Sequence, residues 1–214
     1  RKITFIDQLT LMILVYLITG LLISLPFYLS NLNINLLNAF FEAISGLTGT
    51  GFSVFKNIKY LDPTIILWRS SSQWIGGLYF LIFLIFLFSN KSFNYKMTQL
   101  TFPGVNNFNS EENIKNRLIK IFIFYIILSF LSLMILSFSG IRLFNSLNLS
   151  MSLISGGGFL PSDNLSDIIF TNLQKIFLMI FISLSMLNFY LVFNLFKKKI
   201  LFKDHKEDFY LIIL

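Results

Sequence analysis

Thr48, Gly49, Thr50 and Gly51, and again Ser155, Gly156, Gly157 and Gly158, interrupt a chain otherwise dominated by large apolar residues. Neither stretch pairs a nucleophile with a base, and neither gathers metal-ligating side chains. What both offer is bare backbone. Glycine accepts dihedral angles that let successive carbonyl oxygens point the same way, and it lets backbone approach an ion with no side chain between. A ring of such carbonyls replaces the water shell of a cation. The chemistry expected at these residues is therefore coordination of a permeating cation by C=O groups alone, with no covalent step.

Such backbone must be held in place by its neighbours. Each glycine stretch follows a short amphipathic segment, 36–46 and 143–153. A segment of about eleven residues cannot cross a hydrocarbon core that needs roughly 20. Each is predicted to be a half-helix, whose negative C-terminal end favours a cation beside the glycines. The chain must then return outward without helix, which membrane depth tolerates only where backbone is buried in protein or lines a water-filled cavity.

Around the half-helices lie four apolar runs long enough to span, 9–29, 64–89, 114–139 and 170–196, and the ending DFYLIIL reads as the start of another. The composition agrees: 55% hydrophobic, 13% charged and a mean hydropathy of +0.75, so a membrane is the expected solvent. Cysteine is absent, which excludes disulfides and thiolate chemistry. The net charge of +7 reads as topology, not as nucleic-acid binding. Twelve of the 17 basic residues, at 1, 2, 91, 96, 115, 117, 120, 197, 198, 199, 203 and 206, fall on one side of a four-span arrangement. That side, with the N-terminus, is expected to be cytoplasmic.

The chain aligns with itself at an offset of 107 residues. Leu36 meets Leu143, Asn38 meets Asn145, Ser45 meets Ser152, Gly49 meets Gly156, Gly51 meets Gly158 and Phe52 meets Phe159. The expected organisation is a first helix, half-helix, helix unit over 1–96, a second over 97–207, and the start of a further helix at 208–214. Both units run in the same direction, which disfavours the alternative of a secondary transporter with inverted repeats and broken helices binding a small solute at the midplane.

FFEAISGLTGTGFSV followed by LWRSSSQWIGG resembles the first repeat of the TrkH/KtrB superfamily of potassium uptake proteins, with Trp68, Arg69, Gln73, Trp74, Gly76 and Gly77 matching the second helix. SLISGGGFLPSDN resembles the second repeat, and MLNFYLVF the helix that follows. The resemblance implies an all-α integral membrane fold of helix, pore half-helix, helix repeats with re-entrant filter loops, four repeats enclosing one potassium pore. Gly51 and Gly158 would be the filter glycines, with the residues before them completing each filter strand. Glu42, Ser45, Phe52 and Phe159 would support the strands from behind. Further implications are potassium as the transported ion with no bound cofactor, a homodimer, a cytoplasmic nucleotide-binding regulatory subunit and a bacterial inner membrane. Repeats three and four of the same polypeptide would lie outside this fragment. In the first strand Gly49 stands where the family has the middle of three threonines.

Several residues carry two readings. Glu42 either lends negative field to the pore mouth or accepts hydrogen bonds that hold the filter backbone; its counterpart is Leu149, so it belongs to no symmetric ring. Arg69 is a pore charge or, beside Trp68, an interface anchor, the second being preferred. Asp62, Asp163 and Asp167 are read as solvated loop acids before cation attractors. His205 stands alone, with no metal-ligand spacing. The run 197–199 is read as orientation before lipid or partner contact. Asn148 and Asn164 match a glycosylation pattern, although Asn148 falls in a half-helix.

Overall fold

The computed structural model describes residues 5–30, 32–88 and 114–186. They form six α-helices: α1 (Phe5–Leu29), α2 (Leu36–Thr48), α3 (Pro63–Phe88), α4 (Ile114–Phe138), α5 (Leu143–Ser155) and α6 (Asn172–Met186). No strand occurs among the described residues. Two helices, Ile6–Leu29 and Leu118–Phe138, are by length and composition able to cross a membrane. The expected spans at 64–89 and 170–196 run past the described residues, and α3 and α6 are their described parts. The unit boundaries after 96 and 207, His205, the lysines at 91, 96 and 197–199, MLNFYLVF beyond Met186 and the terminal DFYLIIL also lie outside them.

The helix starts follow from local chemistry. Asn35 caps α2, its side-chain oxygen accepting from the Asn38 N–H at 2.8 Å. Pro63 opens α3, where a missing N–H is harmless, and the carboxylate of Asp62 accepts from the Thr64 N–H at 2.8 Å. Before α6, the Thr171 hydroxyl accepts from the Gln174 N–H while Gln174 Oε1 accepts from the N–H groups of Phe170 and Thr171, a capping box.

The half-helices α2 and α5 are each 13 residues long, about 20 Å at 1.5 Å per residue, and begin and end at equivalent positions of the two units. Both outrun the expected bounds by two residues, so Thr48 and Ser155 close helices and are not part of extended backbone. Ala39, Ala43 and Leu47 form the buried stripe of α2 and pack with Ile23, Phe27 and Ile65. Leu149 and Leu153 of α5 pack with Leu136, Ile141, Leu178 and Phe181. Helix α3 contacts α1 and α2 on one side and α4 and α5 on the other, so both half-helices lean on it. That approach is close: a side chain at Gly76 would strike the Leu47 carbonyl, and one at Gly77 would meet Ser155 and the Tyr125 hydroxyl at 2.8 Å.

Candidate functional site

Each half-helix ends on a glycine in the left-handed region, Gly49 at φ 69° and Gly156 at φ 69°. The two glycine strands beyond them run against each other. A Cβ placed on Gly51 would lie 3.0 Å from the Gly158 Cα, and one on Gly49 would lie 3.9 Å from the Gly157 Cα. Neither set of carbonyls, 49–51 or 156–158, accepts a hydrogen bond from a described residue. The threonine hydroxyls of the first strand turn back into their own unit: Thr48 Oγ1 donates to the Ile44 carbonyl at 2.8 Å, and Thr50 Oγ1 lies 3.3 Å from the Ser45 carbonyl. Side chains therefore brace this strand and leave its backbone oxygens for other work.

A buried charge cluster holds the first strand. Glu42 on α2 and Arg69 on α3 are 0% and 1% exposed, with Arg69 Nε 2.7 Å from Glu42 Oε1. The carboxylate accepts from the Val54 N–H at 2.9 Å and from the Ser53 hydroxyl at 3.0 and 3.1 Å. Arg69 donates in turn to Ser53 Oγ at 3.1 Å. Desolvation of two charges inside a membrane protein is tolerated only when both are paired and hydrogen-bonded, as they are here. Ser45 adds a donor, its hydroxyl reaching the Phe52 carbonyl at 2.5 Å.

The second strand is also held from α3. The Arg69 guanidinium sits 4.2 Å from the centroid of the Phe159 ring and donates to the Leu160 carbonyl at 3.5 Å. One turn on, Gln73 Oε1 accepts from the Ser152 hydroxyl at 2.9 Å and from the Phe159 N–H at 3.2 Å. Farther along, the Trp74 indole donates to Ser129 Oγ at 2.9 Å, and the Tyr125 hydroxyl donates to the Trp74 carbonyl at 3.0 Å. Outside the strands, Asp163 accepts from the Ile58 N–H at 2.5 Å and clasps the two outer loops together.

A WRSSSQWIGG helix serving two glycine strands at once is a specific arrangement, and the comparisons with known proteins agree with it. The model of the family described as TrkH, cation transport protein, matches residues 5–213. The chain belongs to the TrkH family. It is 30% identical over 148 residues to an uncharacterized cation transporter of Methanocaldococcus jannaschii, covering 68% of this chain and 30% of the relative. It is 25% identical over 193 residues to the Trk system potassium uptake protein TrkH of Vibrio parahaemolyticus, covering 89% of this chain and 40% of the relative. The crystal structure of the potassium transporter TrkH from Vibrio parahaemolyticus superposes with a TM-score of 0.73 at 24% identity, covering 97% of this chain and 41% of that one. That likeness establishes the fold: an all-helical membrane protein of the TrkH type. The chain spans between a third and two-fifths of the length of most of these relatives.

Within this TrkH-family chain the structure brings Glu42, Ser45 and the residues of both glycine strands into one region. Phe52 and Phe159, equivalent in sequence, part company. Phe159 is buried under Arg69, whereas the Phe52 side chain is 71% exposed and only its carbonyl meets Ser45. Arg69 is no interface anchor: two turns into α3 it faces α2 and is enclosed. Asp163 is not merely solvated, and Asp62 is a helix cap. Asn148 is fully buried, which removes it as a glycosylation site. Sequence reasoning missed the support role of Arg69, Gln73 and Ser53. The signal was the four-residue spacing of Arg69 and Gln73, which puts both on one face of a helix otherwise apolar at that depth.

Proposed function

We propose that this chain contributes two of the four units of a potassium uptake pore, in which cations pass along backbone carbonyls of residues 48–51 and 155–158. One observation carries the reading: two equivalent half-helices end side by side on glycine strands whose carbonyls are free of hydrogen bonds from described residues and are braced from behind by buried side chains. The negative ends of α2 and α5 add to the field at that point. The names of the relatives, potassium uptake proteins of Trk systems, support potassium as the ion. Two further units of the same polypeptide would close the ring, in keeping with the greater length of those relatives. The complete protein is proposed to be a homodimer in a bacterial inner membrane, with the N-terminal end of this chain cytoplasmic and a cytoplasmic nucleotide-binding subunit as regulator.

The test is rubidium uptake by cells carrying the complete protein with Gly51→Val or Gly158→Val. Each variant is expected to reach the membrane in normal amount and to lose uptake. Normal uptake by both would overturn the reading.

A further inference from the structure

Gln73 is fully buried, and its two ends are in different situations. A backbone N–H only donates, so the end facing Phe159 is the amide oxygen, and this fixes the orientation of the whole group. Its Nε2 is thereby turned to the other side, where it is buried without a hydrogen-bond partner. That nitrogen lies against the second glycine strand: a Cβ on Gly157 would be 2.6 Å from it. Buried donors are normally paired, and an unpaired one persists where something else requires it. Beside it run the carbonyls of 156–158, free of donors among the described residues.

We propose that Gln73 is a selectivity-positioning residue, pinning the second strand through Oε1 and drawing its carbonyls back from the ion path through Nε2–H. This rests on the pore reading above. Sodium is smaller than potassium and is coordinated well only when carbonyls close in around it. A donor behind the strand opposes that closure while leaving the wider potassium geometry undisturbed. The residue acts on the ion through the strand and touches no ion itself.

Two variants of the complete protein separate the two ends of the amide. Gln73→Met removes both oxygen and donor, whereas Gln73→Glu keeps an acceptor for Phe159 and Ser152 and removes the donor. Both are expected to lower the ratio of rubidium to sodium uptake about fivefold, the factor carried by one neutral hydrogen bond, through a lower KM for sodium and not a changed maximal rate. The charge added by glutamate acts alike on both monovalent ions, so the ratio reads geometry. Hydrogen exchange over residues 152–160 is expected to quicken several-fold in Gln73→Met and to return towards normal in Gln73→Glu. An unchanged uptake ratio in both variants, or unchanged exchange in Gln73→Met, overturns the proposal. If neither variant inserts, Ser152→Ala, which frees one bond to Oε1, is expected to lower the ratio in the same direction, and no shift there overturns it. If the unaltered protein carries neither ion, the pore reading fails; the exchange measurement still decides whether Gln73 pins the strand.

Discussion

Ser45 and Ser152 occupy the same place in the two half-helices, yet their hydroxyls do different work. Ser45 reaches forward to the Phe52 carbonyl of its own strand, while Ser152 reaches sideways to Gln73 on α3. The helix ends differ in the same way. After α5 the Gly157 N–H donates to the Ser152 carbonyl at 2.9 Å, whereas after α2 the equivalent Ser45 carbonyl faces the hydroxyl of Thr50. The supports diverge most. Glu42 and Arg69 clamp the first strand with charge, and their second-unit counterparts are Leu149, in the apolar core, and Ile176, 56% exposed. The second unit thus keeps the half-helix and glycines but takes its polar support from the first. Duplication preserved the backbone geometry that the proposed filter needs, and the side chains that hold it were free to differ wherever α3 already supplied them.

The largest expected effect comes from giving the first unit the second unit's residues. Glu42→Leu alone leaves Arg69 buried and uncompensated and is expected to cost about 3–5 kcal/mol. Adding Arg69→Ile removes the stranded charge, and the double variant is expected to regain about 2 kcal/mol of that loss. Thermal unfolding in detergent measures both; losses that simply add would break the view that charge support and apolar support are interchangeable for stability.

A smaller contrast lies in the glycines. Gly51 has φ 75°, and Gly158 is not in the left-handed region. Gly51→Ala should therefore cost about 1–2 kcal/mol in backbone conformation, with an added squeeze against Gly158, whereas Gly158→Ala should stay within about 0.5 kcal/mol. Equal losses in the same unfolding assay would show that the strands are conformationally alike.

The smallest effect separates the helix starts. Hydrogen bonds from the Thr64 side chain and backbone hold the Asp62 carboxyl below its ordinary pKa. Its folded-state pKa is depressed, so its support is present at neutral pH and is lost as pH falls through that lowered value. The cap of α6, Thr171 with Gln174, carries no charge. Acidification should quicken amide exchange at the start of α3 and spare the start of α6, and Asp62→Asn should abolish the difference.

Much of this was legible in the chain before any coordinates. The half-helices announced themselves because a segment too short to span, followed by glycine, occurs twice at one offset. Their ends were placed two residues early because the glycines were read as the start of the loop; a left-handed Gly49 or Gly156 instead marks the first residue past the helix, so Thr48 and Ser155 belong to it. Arg69 was misread for a different reason. A position near one end of an apolar run says little about which face it occupies, and its partner Glu42 lies 27 residues earlier in another element. Gln73 and Ser53 carried no recognisable pattern, since an amide or hydroxyl gains its meaning here from an N–H or carboxylate brought near by folding. Asp163 likewise reads as one more loop acid until its loop is laid over Ile58.

Helix α3 grips a strand that precedes it and one that follows it. A chain made from its N-terminus can clamp the first strand once α3 has entered the membrane, because Glu42 and Val54 are already there. The second strand arrives to find its docking points waiting in Arg69 and Gln73. Assembly is thereby given a direction, each finished unit serving as the jig for the next.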